Sequence, residues 1–363
     1  MKIAIDISAV VYETGVSTYT KNLVTHLLKI DKDNEYILFG GSLRRNQKLQ
    51  NFVNTLEGNF RAKLYRIPPT LADVVWNRIH TLKIEYFVGK VDVFHSSDWA
   101  QPPADACKVT TIHDLVPVKY PKLSHPKIVA VHGRRFKHIK KEVNFIIVPS
   151  NNTKKDLVEL EVPSKRIKVI HEAPDLIYKP ISRENIEKLK KKYRIKGKFL
   201  LAVGITPRKN VERIIEAFDK VRAGMNLRLV IIGEPKVKLA HHRGVIYTGH
   251  IESSDMPAFY SGAEALVYPS LYEGFGLPIL ESFACKTPVV TSNRGSMKEI
   301  AGNGAALVDP YSTESISVGI LKALENKKEL ITMGSKMLKK YSWDKAAQET
   351  LYIYNNHKCK KKV

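Results

Sequence analysis

The feature that most constrains this chain is an alternation, kept from end to end, of short β-branched runs with helical stretches. In the first half the strand-like runs are Lys2–Asp6, Tyr36–Gly40, Lys63–Ile67, Val91–His95, Val109–His113 and Asn144–Pro149. Between them come Tyr19, Leu23, Leu27 and Leu28 at helical spacing after Gly15, and helical stretches over Leu71–Tyr86 and Lys127–Lys141. The second half repeats the rhythm with strands at Phe199–Val203, Leu227–Gly233, Val245–Thr248, Ala265–Pro269, Pro288–Ser292 and Ala305–Asp309. Its helices fall near Val211–Val221, Pro257–Gly262, Leu277–Ala284, Thr313–Glu325 and Lys328–Lys340. Such alternation predicts parallel sheets covered on both faces. The lysine-rich stretch Lys179–Lys198, preceded by Pro174 and with Pro180 near its start, reads as a linker. A length of 363 residues suits two domains. The expected fold is therefore α/β: two doubly wound, Rossmann-like domains facing across a cleft, 1–175 and 176–342, then a final helix and basic tail over 343–363. In sheets of this kind ligands bind beyond the carboxyl ends of the strands.

Charge narrows the partners. Lys plus Arg number 59 against 36 Asp plus Glu, a formal net charge of +23. Nucleic acid, an anionic membrane surface, a polyanionic small substrate or a merely solvated basic surface would each fit. Nucleic-acid binders interleave basic residues with stacking aromatics on one surface. Here the aromatics fall inside strand and helix patterns, so nucleic acid is disfavoured. No apolar run approaches the ~20 residues needed to span a bilayer, and Asp6 interrupts what would be a secretory signal. Three widely spaced cysteines without a CxxC disfavour a disulfide framework and a thiolate zinc site, and fit a reducing cytosol. Asp31-Lys32-Asp33 reads as a surface turn, and the adjacent pair His241-His242 is splayed without a carboxylate partner, so no metal site is expected. There is no G-x-S-x-G and no Walker lysine loop. Arg134, Lys137 and Lys141 share one helical face, with Phe136, Ile139 and Val143 on another. That face suits either anionic lipid or plain solvent.

Two loops carry the chemistry. The first is Tyr268-Pro269-Ser270-Leu271-Tyr272-Glu273-Gly274-Phe275-Gly276-Leu277-Pro278-Ile279-Leu280-Glu281, a strand end followed by two glycines and a helix whose first turn holds Pro278. Gly274 and Gly276 allow close backbone approach to a ligand. The helix start directs N–H groups and a positive dipole end toward phosphate or sugar oxygens. Glu273 and Glu281 would be about 12 Å apart on one continuous helix, but the glycine loop lets Glu273 fold back over the helix start. The second loop is Gly204-Ile205-Thr206-Pro207-Arg208-Lys209-Asn210. Arg208 and Lys209 there are placed to neutralise a diphosphate, or are simply solvated. His113 ends a strand, a position that suits either a substrate contact or a structural role.

These stretches, with Thr248-Gly249-His250, Thr287-Pro288, Gly295-Ser296-Met297-Lys298-Glu299, Thr14-Gly15-Val16, Ile112-His113-Asp114-Leu115 and Ser342-Trp343, resemble the family 4 retaining glycosyltransferases over nearly the whole chain. The resemblance implies a GT-B fold, a nucleotide-diphosphate sugar bound by the second domain, an acceptor bound by the first, and a last helix that crosses back to the first domain. It assigns Arg208 and Lys209 to the diphosphate and Glu281 to the ribose. Glu273 is assigned to the donor sugar, with Gly204 and the Gly274, Phe275, Gly276 and Leu277 backbone around the donor. Gly15 belongs to a loop over the diphosphate, and His113 faces the transferred sugar. No protein nucleophile, cofactor or metal is expected. The stretch Ile112–Pro121 is similar to bacterial mannosyltransferases of surface polysaccharide assembly, which points to GDP-mannose and a glycan or lipid-linked acceptor. The expected location is the cytoplasm, peripheral on the inner face of the plasma membrane. A nucleotide-sugar epimerase or phosphorylase on the same fold is the alternative reading.

Overall fold

The computed structural model describes residues 1–12, 14–223, 225–234 and 242–356; His241 and the basic tail beyond residue 356 lie outside the described residues. The chain forms two compact units, Met1–Glu172 together with the segment from Ser342, and Ala173–Tyr341. Five helices carry or flank the functional side chains: α1 (Gly15–Ile30), α2 (Pro126–Glu142), α3 (Val211–Val221), α4 (Leu277–Ala284) and α5 (Trp343–Asn356).

The first unit holds seven parallel strands: β1 (Lys2–Asp6), β2 (Glu35–Gly41), β3 (Phe60–Tyr65), β4 (Val93–Ser96), β5 (Cys107–Thr111), β6 (Phe145–Val148) and β7 (Ile167–Val169). Their order is β3-β2-β1-β4-β5-β6-β7. Ile3 pairs with both Tyr36 and Val93, so the order reverses at β1. α1 starts at that switch point, where doubly wound sheets bind ligands. α5 packs along α1 inside this unit. The Tyr19 and Trp343 rings lie 5.8 Å apart, and the Tyr354 hydroxyl sits 2.6 Å from His95 Nδ1.

The second unit holds β8 (Lys198–Val203), β9 (Leu227–Ile232), β10 (Val245–Tyr247), β11 (Ala265–Tyr268), β12 (Val289–Ser292) and β13 (Ala305–Val308), again all parallel, in the order β10-β9-β8-β11-β12-β13. Side chains alternate between two buried layers. Leu201, Val230 and Leu266 enter one, while Leu200, Ala202, Leu229, Ile231 and Val267 enter the other. Burial on both faces is why these strands read as unbroken apolar runs. Each leucine, isoleucine or valine among them contributes about 1.5–3 kcal/mol of hydrophobic stabilisation. β8 and β11 are neighbours, with Leu201 opposite Leu266, so the loops that follow them open side by side.

Several expectations need correction. Leu71–Tyr86 is not one helix. It is a turn at Pro69–Ala72, a π-helix at Asp73–Ile79 and a turn at Glu85–Val88, interrupted by positive φ at His80 and Leu82. Lys179–Lys198 is not a free linker. Ser182 caps a helix over Arg183–Lys192, and Leu189 and Ile195 are buried in the core of the second unit. β7 escaped the sequence reading because only Ile167 of its three residues is buried. Asp31 belongs to a turn but not to the surface. It is buried and accepts hydrogen bonds from the Tyr36 hydroxyl at 2.6 Å and from Asn34 Nδ2 at 2.8 Å. Cys285 is a free, buried thiol, whereas Cys107 is disulfide-bonded.

Candidate active site

The loop after β8 turns at Gly204, whose φ of +84° suits glycine. A Cβ there would lie 3.0 Å from Lys209 Cε, because the lysine folds back across it. Pro207–Lys209 forms a single 3₁₀ turn, and α3 then starts from Asn210 in the left-handed region. The buried Asn210 amide explains why this loop meets its neighbour. Its Nδ2 donates to the Pro269 carbonyl at 3.1 Å, just beyond β11, and to the Pro310 carbonyl at 2.6 Å, while Leu271 N–H donates to the Arg208 carbonyl at 2.8 Å.

The two loops thereby place both cations on one carboxylate. Lys209 Nζ stands 2.7 Å from Glu273 Oε1, Arg208 pairs with Glu273 Oε2, and Lys209 also bonds the Tyr268 hydroxyl. Lys209 Nζ lies 4.4 Å from the centre of the Tyr268 ring. Glu273 is 7% exposed. Burial alone would raise its pKa, but the charges of Lys209 and Arg208 and the hydrogen bonds of Lys209 and Tyr268 override this and hold the carboxyl down at about 2. Ser296 Oγ donates to the Glu273 carbonyl at 2.7 Å and fixes the turn from below. Gly276, at φ +115°, caps α4, so Gly274, Phe275, Gly276 and Leu277 form the entry to that helix.

Glu281, on α4, has a different setting. The Tyr260 hydroxyl donates to it at 2.6 Å, and the Tyr178 hydroxyl also bonds it. Burial pushes its carboxyl up to about 7; the tyrosine hydroxyls and the charge of Lys209 oppose that shift, and Asp175 adds to it. Arg208 and Lys209 are thus in direct contact with Glu273, Gly204 lies against the Lys209 side chain, and Glu281 lies within electrostatic reach of Lys209.

His113 and Gly15 belong to the first unit. Gly15 is exposed and opens α1. His113 Nδ1 donates to Glu172 Oε1 at 2.9 Å, and the Tyr19 ring meets the imidazole edge-on at 4.5 Å. Burial disfavours the charged ring, but Glu172, then Asp98 and Asp114, outweigh it and raise the His113 pKa. A narrow cavity beside it, lined by Val16, Tyr19, His95 and Asp98 among others, reaches from α1 to the end of β5. Arg135 of α2, buried despite its charge, holds this corner. It donates to the Ser97 carbonyl at 2.8 Å and to Thr110 Oγ1 at 2.7 Å, and faces Asp98 at 3.5 Å.

Sequence reasoning missed Glu172, Arg135, Asp98 and Tyr178, and gave no role to Tyr260 and Asn210. Only Asn210 carried a local signal, since an Asn at a helix start tolerates positive φ. Arg134 also departs from the expected basic face. It pairs with Asp73 at 2.6 Å, which leaves Lys137 and Lys141 as the exposed members.

Residues 14–176 match the family described as Glycosyltransferase Family 4, and residues 185–340 match Glycosyl transferases group 1. The chain is 27% identical, over 94% of its length and 96% of the relative's, to the O-antigen chain mannosyltransferase B of Escherichia coli. Among solved structures, the sucrose-phosphate synthase of Thermosynechococcus elongatus superposes with a TM-score of 0.71 at 16% identity, covering 98% of both chains. Anabaena HepE, solved with UDP and glucose, does so at 0.70 and 15%, over 97% of this chain and 99% of its own. The fold is GT-B, built from two Rossmann-like sheets. The chain belongs to the family 4 glycosyltransferases, and it is a glycosyltransferase enzyme.

Proposed function

We propose that this enzyme transfers mannose from GDP-mannose to a glycan or lipid-linked acceptor, with retention of configuration and without a metal in the reaction. The observation that carries the reading is the junction of Arg208, Lys209 and Glu273 at the tips of β8 and β11, beside the start of α4. The name of the Escherichia coli relative supports mannose as the sugar.

In this reading the donor diphosphate takes the two cations from Glu273. Charge gathers on the leaving diphosphate as the glycosidic bond stretches. Lys209, Arg208 and the N–H groups around Gly274–Leu277 stabilise that charge more in the transition state than in the ground state. Glu273, released from its ion pairs, accepts hydrogen bonds from sugar hydroxyls, and Glu281 accepts from the ribose. His113, with Nδ1 committed to Glu172, offers Nε2 to the transferred sugar, and Gly15 lets the start of α1 approach the diphosphate. The acceptor hydroxyl attacks from the face the phosphate leaves, and the phosphate takes its proton.

Membrane association at the inner face of the plasma membrane belongs to the same proposal. Among the described residues no helix is long and apolar enough to cross a bilayer. One segment of the first unit nevertheless exposes Leu71, Val74, Ile79, Leu82 and Tyr86, interspersed with exposed Arg78 and Lys83. Apolar exposure along one segment with basic neighbours suits an anionic interface.

A thermal-shift panel of nucleoside diphosphates and their sugars, followed by product analysis with and without acceptor, tests the function. GDP and GDP-mannose should raise the melting temperature most, and nucleotide release should require acceptor. Conversion of the sugar without transfer would indicate an epimerase, and phosphate-dependent release of a sugar phosphate a phosphorylase. No stabilisation by any nucleotide sugar would overturn the donor assignment.

A further inference from the structure

A second cluster of chemistry-bearing side chains lies at the other end of the first sheet. His80 follows the π-helix Asp73–Ile79, and His138 and Glu142 sit one helical turn apart at the end of α2. One ring nitrogen from each histidine and a carboxylate oxygen of Glu142 lie within 4.8 Å of one another, and all three residues are half-buried. We propose that His80, His138 and Glu142 form a zinc site whose role is to clasp the irregular segment around residue 80 to α2.

The surroundings are those of a metal site. Ligating histidines are oriented by a hydrogen bond from the other ring nitrogen, and ligating carboxylates are themselves hydrogen-bonded. His80 Nδ1 bonds the Trp76 carbonyl at 2.8 Å, which leaves Nε2 facing Glu142 Oε1 at 3.0 Å. His138 Nε2 bonds the Asn77 carbonyl at 3.0 Å, which leaves Nδ1 as the ligand. Lys108 Nζ holds Glu142 Oε2 at 2.8 Å, while the buried Glu142 Oε1 faces only the His80 Nε2 lone pair and accepts no hydrogen bond. Two imidazoles and one carboxylate suit zinc, with water as the fourth ligand, at about 2.0–2.2 Å. The rings lie stacked, with centroids 3.7 Å apart and planes 9° from parallel, so binding requires one ring to turn toward the ion.

The geometry also separates the site from the transfer reaction. Lys108 stands near the start of β5 and His113 follows its end. Five residues at about 3.3 Å each put roughly 16 Å between them. The zinc would act on the fold: His80 has a positive φ of 57°, and the flanking Ile79 and Leu82 are exposed, so few apolar contacts secure this corner.

The test uses the full chain, stripped with a chelator and titrated with zinc by calorimetry and thermal unfolding. One equivalent should bind and raise the melting temperature. His138→Gln keeps an amide for the Asn77 carbonyl, and Glu142→Gln keeps the side-chain shape; each should weaken zinc binding at least tenfold. Both variants are checked for folding by circular dichroism, and either alone suffices if the other unfolds. No stoichiometric uptake by the stripped protein, or uptake that persists unchanged in the folded variants, overturns the proposal.

Discussion

Glu273 and Glu281 stand eight residues apart on either side of one helix start, both in confined surroundings, yet one carboxyl is held at about 2 and the other rises to about 7. Desolvation acts in the same direction on both. The neighbours differ: two cations meet Glu273, whereas the tyrosine hydroxyls of Tyr260 and Tyr178 meet Glu281. Burial therefore sets the stakes and the partners decide the outcome. One carboxylate is fixed as an anion that keeps two phosphate-suited cations in place, and the other is poised near neutrality.

The largest expected effect breaks the cation side of this contrast. Lys209→Ala removes a charged hydrogen bond, worth about 1.5–3 kcal/mol, and should lower turnover at saturating donor more than tenfold. Turnover within twofold of wild type would remove Lys209 from the mechanism. Glu273→Gln sharpens the same point from the other partner. The amide no longer neutralises Arg208 and Lys209, so nucleoside diphosphate should bind several-fold tighter by calorimetry while sugar transfer falls. Weaker diphosphate binding would mean that Glu273 positions the cations rather than competing for them.

What could be read in the sequence follows from chain distance. Both sheets and the two candidate-site loops were legible, because apolar strand runs and glycine-flanked turns are local patterns. Arg208, Lys209 and Glu273 each sit in such a loop, and adjacency of β8 and β11 does the rest. Glu172 could not be read as the partner of His113, since 59 residues separate them and only the fold joins them. Tyr178 was hidden beside a stretch whose lysines read as linker, although Leu189 further along is core. Leu71–Tyr86 read as one helix because apolar spacing does not register the backbone reversals at His80 and Leu82.

On the hydroxyl side, Glu281 should make donor binding depend on pH. The ribose assignment requires a carboxylate acceptor, so affinity should rise several-fold as pH passes upward through about 7. The groups facing it are Tyr260, Tyr178, Lys209, Asp175 and Cys285, and the tyrosines and the thiol, all pushed up by burial, stay neutral there. Glu281→Gln should bind donor more weakly at the upper end of that range and lose the dependence. An affinity that is flat in the wild type would break the ribose assignment.

The smallest effect is on stability, and its sign differs between the two residues. Glu273 titrates near 2 when folded against an ordinary 4.5, so its contribution is complete above 4.5 and is lost as pH falls toward 2. Glu281 is raised, so folding favours its protonated form, and stability drains away as pH rises from 4.5 to about 7. Urea unfolding midpoints of the wild type and Glu281→Gln should therefore converge or cross between pH 5 and pH 8, the neutral amide gaining on the wild type at the alkaline end. The same comparison for Glu273→Gln should give a constant deficit across that window, because Glu273 is ionised throughout it. Parallel curves for both variants would mean that the two carboxylates share one electrostatic setting, and the contrast between cation and hydroxyl neighbours would fail.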